Sequence, residues 1–237
     1  MSGFPNSEEV KKYYSEWWEN SKDIRNVVFE SLNEYVRQRI ARGDGQKALD
    51  IGSGHGRITS YLVDKGYEVI AVEFNEEFIA ELKSKFPHIK VIPEDVRNID
   101  FNQFNERFDV TTCLELVQNL DRKELLTLLT KLAGVTKLLL TNMSNKNSLH
   151  ARWLEFRKFR ASFVFNYTPK EFEQIVEQAG FDITHKRGIG LITPISLFKN
   201  FKGKLIPIWL AKVINRFNRL APKICHLYYI EAVSRNL

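Results

Sequence analysis

The sequence predicts an α/β fold: a mostly parallel sheet with helices on both faces and an antiparallel strand near its C-terminal end. Three observations predict it. Short apolar, β-branched runs alternate with helical patterns across residues 47–141, as strand–helix–strand units with parallel strands require. A glycine-rich turn, Gly52-Ser53-Gly54-His55-Gly56, directly follows the first of those runs. Two further strand-like runs, 181–187 and 227–233, close the order, and a strand returning directly beside its predecessor runs antiparallel to it.

Residues 7–20 and 21–42 read as two helices, with Ser7 as N-cap and Glu8 and Glu9 in the first turn. Gly43-Asp44-Gly45 ends the second helix. Residues 47–51 form a short strand, the glycine turn follows, and a helix runs from Arg57 to about Lys65, where Gly66 stops it. Residues 67–73 are β-branched and apolar, hence a second strand, and Asn75 caps a helix to about Phe86, before Pro87. Strands follow at 89–92, 108–114 and 135–141, with a helix at 121–133 between the last two. Residues 147–162 read as an added helix rich in Arg and aromatics. Thr168-Pro169-Lys170-Glu171 opens another helix, with Pro at its first position and an acid at its third, ending at Gly180.

At 237 residues the chain fits one domain. Apolar content of 43% supports a full core. Two cysteines, Cys113 and Cys225, make no disulfide framework and suggest a reducing compartment. No signal-peptide pattern is seen, because Pro5, Asn6 and Glu8 break the first apolar residues. No apolar run approaches the roughly 20 residues that span a bilayer. The expected setting is cytoplasmic, with membrane-peripheral attachment as a variant of it. The net charge is +6, yet residues 181–237 alone carry ten Lys/Arg against two acids. A basic end points to an anionic partner, such as a membrane surface, a nucleic acid or an acidic substrate, or else to a solvated face. Within 195–222, Leu210, Val213, Ile214, Phe217 and Leu220 share one helical face, and Lys212, Asn215, Arg216 and Arg219 the other. That pattern fits a helix packed on the body, or a lid or interfacial membrane contact.

The chemistry gathers at the carboxyl ends of the parallel strands, where ligands bind in open α/β sheets. The glycine spacing is G-x-G-x-G, and a tight strand-to-helix turn of this kind needs residues tolerant of positive φ. Asp50 leads the turn and is placed to face a cationic amine. Glu73 ends the second strand, about twenty residues beyond the glycines, where an acid accepts hydrogen bonds from ribose hydroxyls. Asp95 follows the third strand and is suited to accept from an exocyclic amine such as that of adenine.

This ordered set, Asp50-x-Gly52-x-Gly54-x-Gly56 with Glu73 and Asp95, resembles the cofactor signature of class I S-adenosylmethionine-dependent methyltransferases, and the resemblance runs from about residue 13 to residue 233. It implies a Rossmann-like, seven-stranded, mostly parallel sheet with one antiparallel strand. It further implies a single domain over 1–237: an N-terminal helical cap (1–42), a cofactor-binding core (46–142), and substrate-side or lid insertions (143–180 and 191–222), the last a helical insertion before the final strand. The implied cofactor is S-adenosyl-L-methionine. Gly52, Ser53 and Gly54, with Gly56 completing the turn, would meet its amino-acid part, which Asp50 would orient. Glu73 would hold the ribose, Phe74 would flank the adenine, and Asp95 with Val96 would bind the adenine edge.

Residues 108–120 are similar to the fourth-strand segment of the ubiquinone-biosynthesis O-methyltransferases, whose pattern is roughly C-M-E-x-x-E-H. Leu114 and Glu115 fall in that segment and are expected beside the cofactor, but Gln118 and Asn119 stand where the pattern has Glu and His. In those relatives the acid–acid–histidine set is associated with a divalent metal. One carboxylate and two amides make a poor cation cage, so no metal is expected and the acceptor is expected to differ from that quinone precursor.

Methyl transfer is an in-line displacement in which alignment supplies much of the catalysis. A base adds about two to four orders of magnitude where the nucleophile must lose a proton. His150, after the fifth strand, and Tyr14, in an N-terminal helix with Tyr13, Trp17 and Trp18, are the candidates. His150 alternatively reads as an exposed loop histidine, and the aromatic cluster as a staple to the core. Trp153, Phe156, Phe159, Phe163 and Phe165 line an apolar acceptor pocket or pack as core. The expected activity is methyl transfer to an oxygen or nitrogen of a small-molecule acceptor (natural product, quinone-like or lipid-like) by a monomer or homodimer, without DNA. The alternatives are an RNA or protein methyltransferase, which the basic end favours, and a non-catalytic cofactor-binding protein. The N/D-P-P-Y/F run of enzymes that methylate amines of nucleic acids is absent, and the glycine spacing argues against a nicotinamide oxidoreductase.

Overall fold

The computed structural model describes residues 25–41, 45–104, 106–149, 151–152, 167–191, 213, 216–219 and 221–236. The first predicted helix (7–20), most of the second insertion (191–222), and residues 153–162 of the added helix lie outside the described residues. So do Tyr14 and His150.

Five helices and seven strands are described: α1 (Arg25–Ala41), β1 (Lys47–Ile51), α2 (Arg57–Asp64), β2 (Glu68–Glu73), α3 (Glu76–Lys85), β3 (Lys90–Pro93), β4 (Phe108–Cys113), α4 (Arg122–Ala133), β5 (Thr136–Ser144), α5 (Pro169–Gln178), β6 (Phe181–Ile189) and β7 (Leu227–Ser234). The strand order is β3-β2-β1-β4-β5-β7-β6. The first five strands are mutually parallel, and β7 runs antiparallel to both β5 and β6. Strand order reverses between β1 and β4, the place where a crevice opens above the strand ends.

Alternating side chains divide the core between the two faces of the sheet. Leu49, Ile51, Ile70, Val72, Phe108 and Cys113 pack with Leu125, Leu129 and Leu132 of α4 and Phe172, Ile175 and Val176 of α5. Ala48, Val69, Val110 and Leu140 face the other way, onto Ile58 and Leu62 of α2 and Val28, Leu32, Val36 and Ile40 of α1. The four α1 residues recur at every fourth position, which makes one stripe along a helix.

Local chemistry sets the element ends. Asn75 accepts from the backbone N–H of Glu77 at the start of α3. Capping boxes open α4 (Asp121 with Glu124) and α5 (Thr168 with Glu171, Pro169 following the cap), each satisfying backbone donors that have no intrahelical partner. Two strands run two or more residues past the sequence reading, β6 to Ile189 rather than 187 and β5 further still. β5 continues three residues past 141, because Asn142, Met143 and Ser144 pair with Tyr229, Tyr228 and Leu227 of β7. Asn145 then bridges Tyr167, and the Tyr167 hydroxyl donates to the Leu120 carbonyl at 2.6 Å, which holds Asn145 and Tyr167 near the turn after β4. Among the described residues no helix is long and apolar enough to cross a membrane.

Candidate active site

The glycine turn is built by the sheet beneath it. The amides of Gly52 and Ser53 both donate to the Val72 carbonyl of β2, at 2.9 and 3.1 Å, and the Ser53 hydroxyl donates to the same oxygen. Gly52, Gly54 and Gly56 all take positive φ (69°, 54° and 76°). Their surroundings differ. A Cβ at Gly54 would meet nothing within 4 Å, whereas one at Gly56 would lie 2.8 Å from Leu82 and from Phe86. Gly54 therefore presents bare backbone to open space, and Gly56 lets α3 approach the turn.

Asp50 braces this turn from below. It is buried on the α1–α2 side of β1, and its carboxylate accepts from the hydroxyls of Thr59 and Thr112, both at 2.6 Å. Thr112 is its register partner on β4, so one carboxylate ties β1, β4 and α2 together at the switch point. Burial pushes the Asp50 pKa above its ordinary 3.8, and the two hydroxyls and the Arg57 charge offset part of the rise. An acid whose pKa is raised by folding gives up stability as pH climbs through that raised value, since the folded state then holds the extra proton and loses it. Asp50→Asn is therefore expected to gain stability relative to the wild type as pH rises above about 4. Thermal melts of both proteins from pH 4.5 to pH 8 check this; a constant difference contradicts it.

Glu73 stands opposite the turn. One of its oxygens accepts from the backbone N–H groups of Phe74 and Asn75, each at 2.9 Å, and the other from Gly54 at 2.8 Å. Three of about four acceptor positions are thus used, which leaves one on the oxygen shared with Gly54. Burial raises the Glu73 pKa against those three bonds. Beside it lies a shallow cleft lined by Gly52, Glu73, Phe74, Asp95, Val96 and Leu116, among others. Asp95 and Val96, from the loop after β3, thus face the same space as Phe74 and Glu73.

Glu115 follows β4 and is the non-glycine residue with positive φ (56°) among the described residues, an uncommon conformation for a side-chain-bearing residue. Asn142 of β5 holds it there: Glu115 N–H donates to Asn142 Oδ1 at 3.0 Å, and Asn142 Nδ2 donates to the Glu115 carboxylate. Gln118 Nε2 donates to the Glu115 backbone carbonyl at 2.7 Å. The carboxyl is buried, which raises its pKa. Among the described residues no group of three or more His, Cys, Asp or Glu side chains is placed to hold a metal. Leu114 packs in the core against the α1–α2 side.

The structure thus brings Gly52, Glu73, Phe74, Asp95 and Val96 around one cleft, sets Ser53 and Gly54 in the turn above it, and puts Asp50 and Leu114 beneath. The clamping role of Asn142 and the bracing roles of Thr59 and Thr112 were not read from the sequence. Nothing in a lone Asn or Thr signals them, because each depends on a partner at least nine residues away.

A seven-stranded sheet of this order, with a glycine turn after β1 and an acid ending β2, defines the class I methyltransferase fold. Residues 48–138 match the family model described as a methyltransferase domain, and this segment is such a domain. The chain is 28% identical over 103 residues to a ribosomal RNA small subunit methyltransferase A of Mycoplasma mycoides, covering 43% of this chain and 36% of that protein. It is 29% identical over 121 residues to a ubiquinone biosynthesis O-methyltransferase of Proteus mirabilis, covering 47% and 49%. The alignments thus span less than half the length of these two curated relatives. Among solved structures, magnesium protoporphyrin IX methyltransferase from Synechocystis PCC 6803 with bound S-adenosylmethionine superposes with a TM-score of 0.63 over 99% of both chains at 14% identity.

Proposed function

We propose that the protein is an S-adenosyl-L-methionine-dependent methyltransferase acting on an oxygen or nitrogen of a small-molecule acceptor. The observation that carries the reading is the pairing of Glu73 with the Gly54 amide across the mouth of the cleft: an anchored carboxylate with one free acceptor position, beside a backbone stretch with no side-chain bulk. The residues fit the cofactor. Glu73 takes a ribose hydroxyl, Phe74 and Val96 flank a flat base, Asp95 accepts from its amine, and the turn at Gly52–Gly54 receives the amino-acid part. When bound, the cofactor supplies an electrophilic methyl on a sulfonium. The chain supplies alignment and exclusion of water. His150, six residues beyond the end of β5 in sequence, is the proposed base, with Tyr14 as the second candidate.

The ribosomal RNA methyltransferase relatives support a second reading, with RNA as acceptor. Against it stands the absence of the N/D-P-P-Y/F run of enzymes that methylate amines of nucleic acids. Calorimetry with S-adenosylhomocysteine tests the cofactor, and radiolabelled methyl transfer to small-molecule extracts against total RNA separates the acceptors. Label entering RNA alone rejects the small-molecule reading; no binding rejects both. Turnover is expected to survive EDTA and to fall in His150→Asn with S-adenosylhomocysteine affinity unchanged. Loss on chelation that magnesium restores would overturn the metal-free expectation.

A further inference from the structure

Three segments leave the sheet at one end. β5 ends there at Ser144 and β6 at Ile189, and β7, antiparallel to both, begins there at Leu227. The glycine turn lies at the same end, since β1, β4 and β5 are parallel. Two asparagines lace the segments into one rim. Asn145 Nδ2 donates to the carbonyls of Lys223 and Cys225, both at 2.9 Å. Asn218, only 3% exposed, accepts at Oδ1 from the Leu191 N–H at 2.9 Å.

Four large apolar side chains are exposed among the described residues: Leu149, Val213, Phe217 and Val233. Such residues scattered singly need no explanation, but the first three lie on the rim segments, and Val233 lies toward the other end of β7. Val213 and Phe217 belong to the apolar stripe that the sequence allows either to pack on the body or to face an interface. They are 41% and 53% exposed, while the polar Asn218 beside them in sequence is buried. Packing on the body therefore does not account for these two. Lys146, Arg152 and Lys223 are exposed on the same segments, and residues 183–230 contain nine Lys/Arg and no acid. Glu171 and Glu173 of α5 lie within the field of Lys146 and Lys223. Glu171 is taken up in its capping box, and Glu173 accepts from Lys186 at 2.8 Å.

We propose that this rim docks on an anionic lipid bilayer, with Phe217, Val213 and Leu149 entering the boundary between headgroups and acyl chains and the lysines meeting lipid phosphates. Apolar insertion and cationic attraction are the two signals that stable attachment to a membrane surface combines. The charge alone would suit RNA as well, but phosphate binding calls for no exposed aliphatic side chains. A second copy of this chain fits less well, because a two-fold contact sets the same positive rim against itself. Docking needs neither cofactor nor acceptor, so it stands or falls apart from the methyltransferase reading.

Sedimentation of the full chain with sucrose-loaded vesicles tests the docking. Vesicles of equal parts phosphatidylcholine and phosphatidylserine are expected to bind at least about tenfold better than pure phosphatidylcholine, and added salt is expected to weaken the binding. Phe217→Ser is expected to weaken binding to the mixed vesicles about fivefold to tenfold, and Lys223→Glu about tenfold. Val233→Ser, away from the rim, is expected to bind as the wild type does. Should Phe217→Ser fail to fold, Lys223→Glu decides. Undiminished binding in the variant that folds overturns the proposal, and so does equal binding to both vesicle types. Absence of the chain from the mixed-vesicle pellet overturns it outright, in favour of RNA if the chain binds polyuridylate and of a second copy if it self-associates.

Discussion

Replacing Glu73 with alanine is expected to weaken S-adenosylhomocysteine binding about a hundredfold or more. Two losses combine. The ligand loses a charge-assisted hydrogen bond to the free position on the carboxylate, worth about 1.5–3 kcal/mol, or roughly tenfold to a hundredfold. The Gly54 amide also loses its acceptor, so the turn that receives the amino-acid part is no longer held at that point. Glu73→Gln keeps one carbonyl oxygen and is expected to fall between. Because Phe74 and Asn75 lose an acceptor as well, melting must be recorded beside calorimetry and binding measured well below the transition. A dissociation constant within threefold of the wild type would remove the ribose role from Glu73.

The second large effect separates two glycines that look alike in the sequence. Gly56→Ala is expected to destabilise the fold by about 3 kcal/mol, combining the left-handed backbone cost with overpacking. The new methyl would press on buried Leu82 and half-buried Phe86, each 2.8 Å away. For a chain of this size that is a fall of roughly 6–12 °C in Tm. Gly54→Ala meets no neighbour and carries only the backbone cost, about 1–2 kcal/mol. Its methyl enters the space that the ligand backbone contacts would use, so S-adenosylhomocysteine affinity is expected to drop at least tenfold, about 1.4 kcal/mol. Thermal melts and calorimetry on both variants check the contrast. Equal stability losses would mean that the packing difference does not govern the two positions.

Much of this was legible along the chain. Positive φ at Gly52, Gly54 and Gly56 follows from residues without a Cβ placed between a strand and a helix. The caps at Asn75, Asp121 and Thr168 follow from side chains that satisfy donors two or three residues away. The placing of Glu73 at the end of β2 follows from strand length. In each case the partner is close in sequence, or a regular element fixes the distance.

Less of the site itself was legible. The sequence marks Asp50 as a ligand-facing acid, and the structure adds two partners that it did not signal, the hydroxyls of Thr59 and Thr112. It groups Gly56 with the cofactor glycines, whereas its absent side chain makes room for α3. It ends β5 at residue 141, whereas pairing with β7 carries the strand to Ser144 and brings Asn142 onto Glu115. Nothing local marks Arg97 as the tie between Asp95, Asn119 and Glu124.

By itself the amino-acid order determined the alternation of strands and helices, the glycine turn and the acids that end two strands, since these depend on backbone preference and on periodicity within a few residues. Only the tertiary structure decided which partners each of those acids meets within the fold. That choice depends on the hydroxyls, amides and guanidinium that distant segments bring within hydrogen-bonding distance once the sheet has formed.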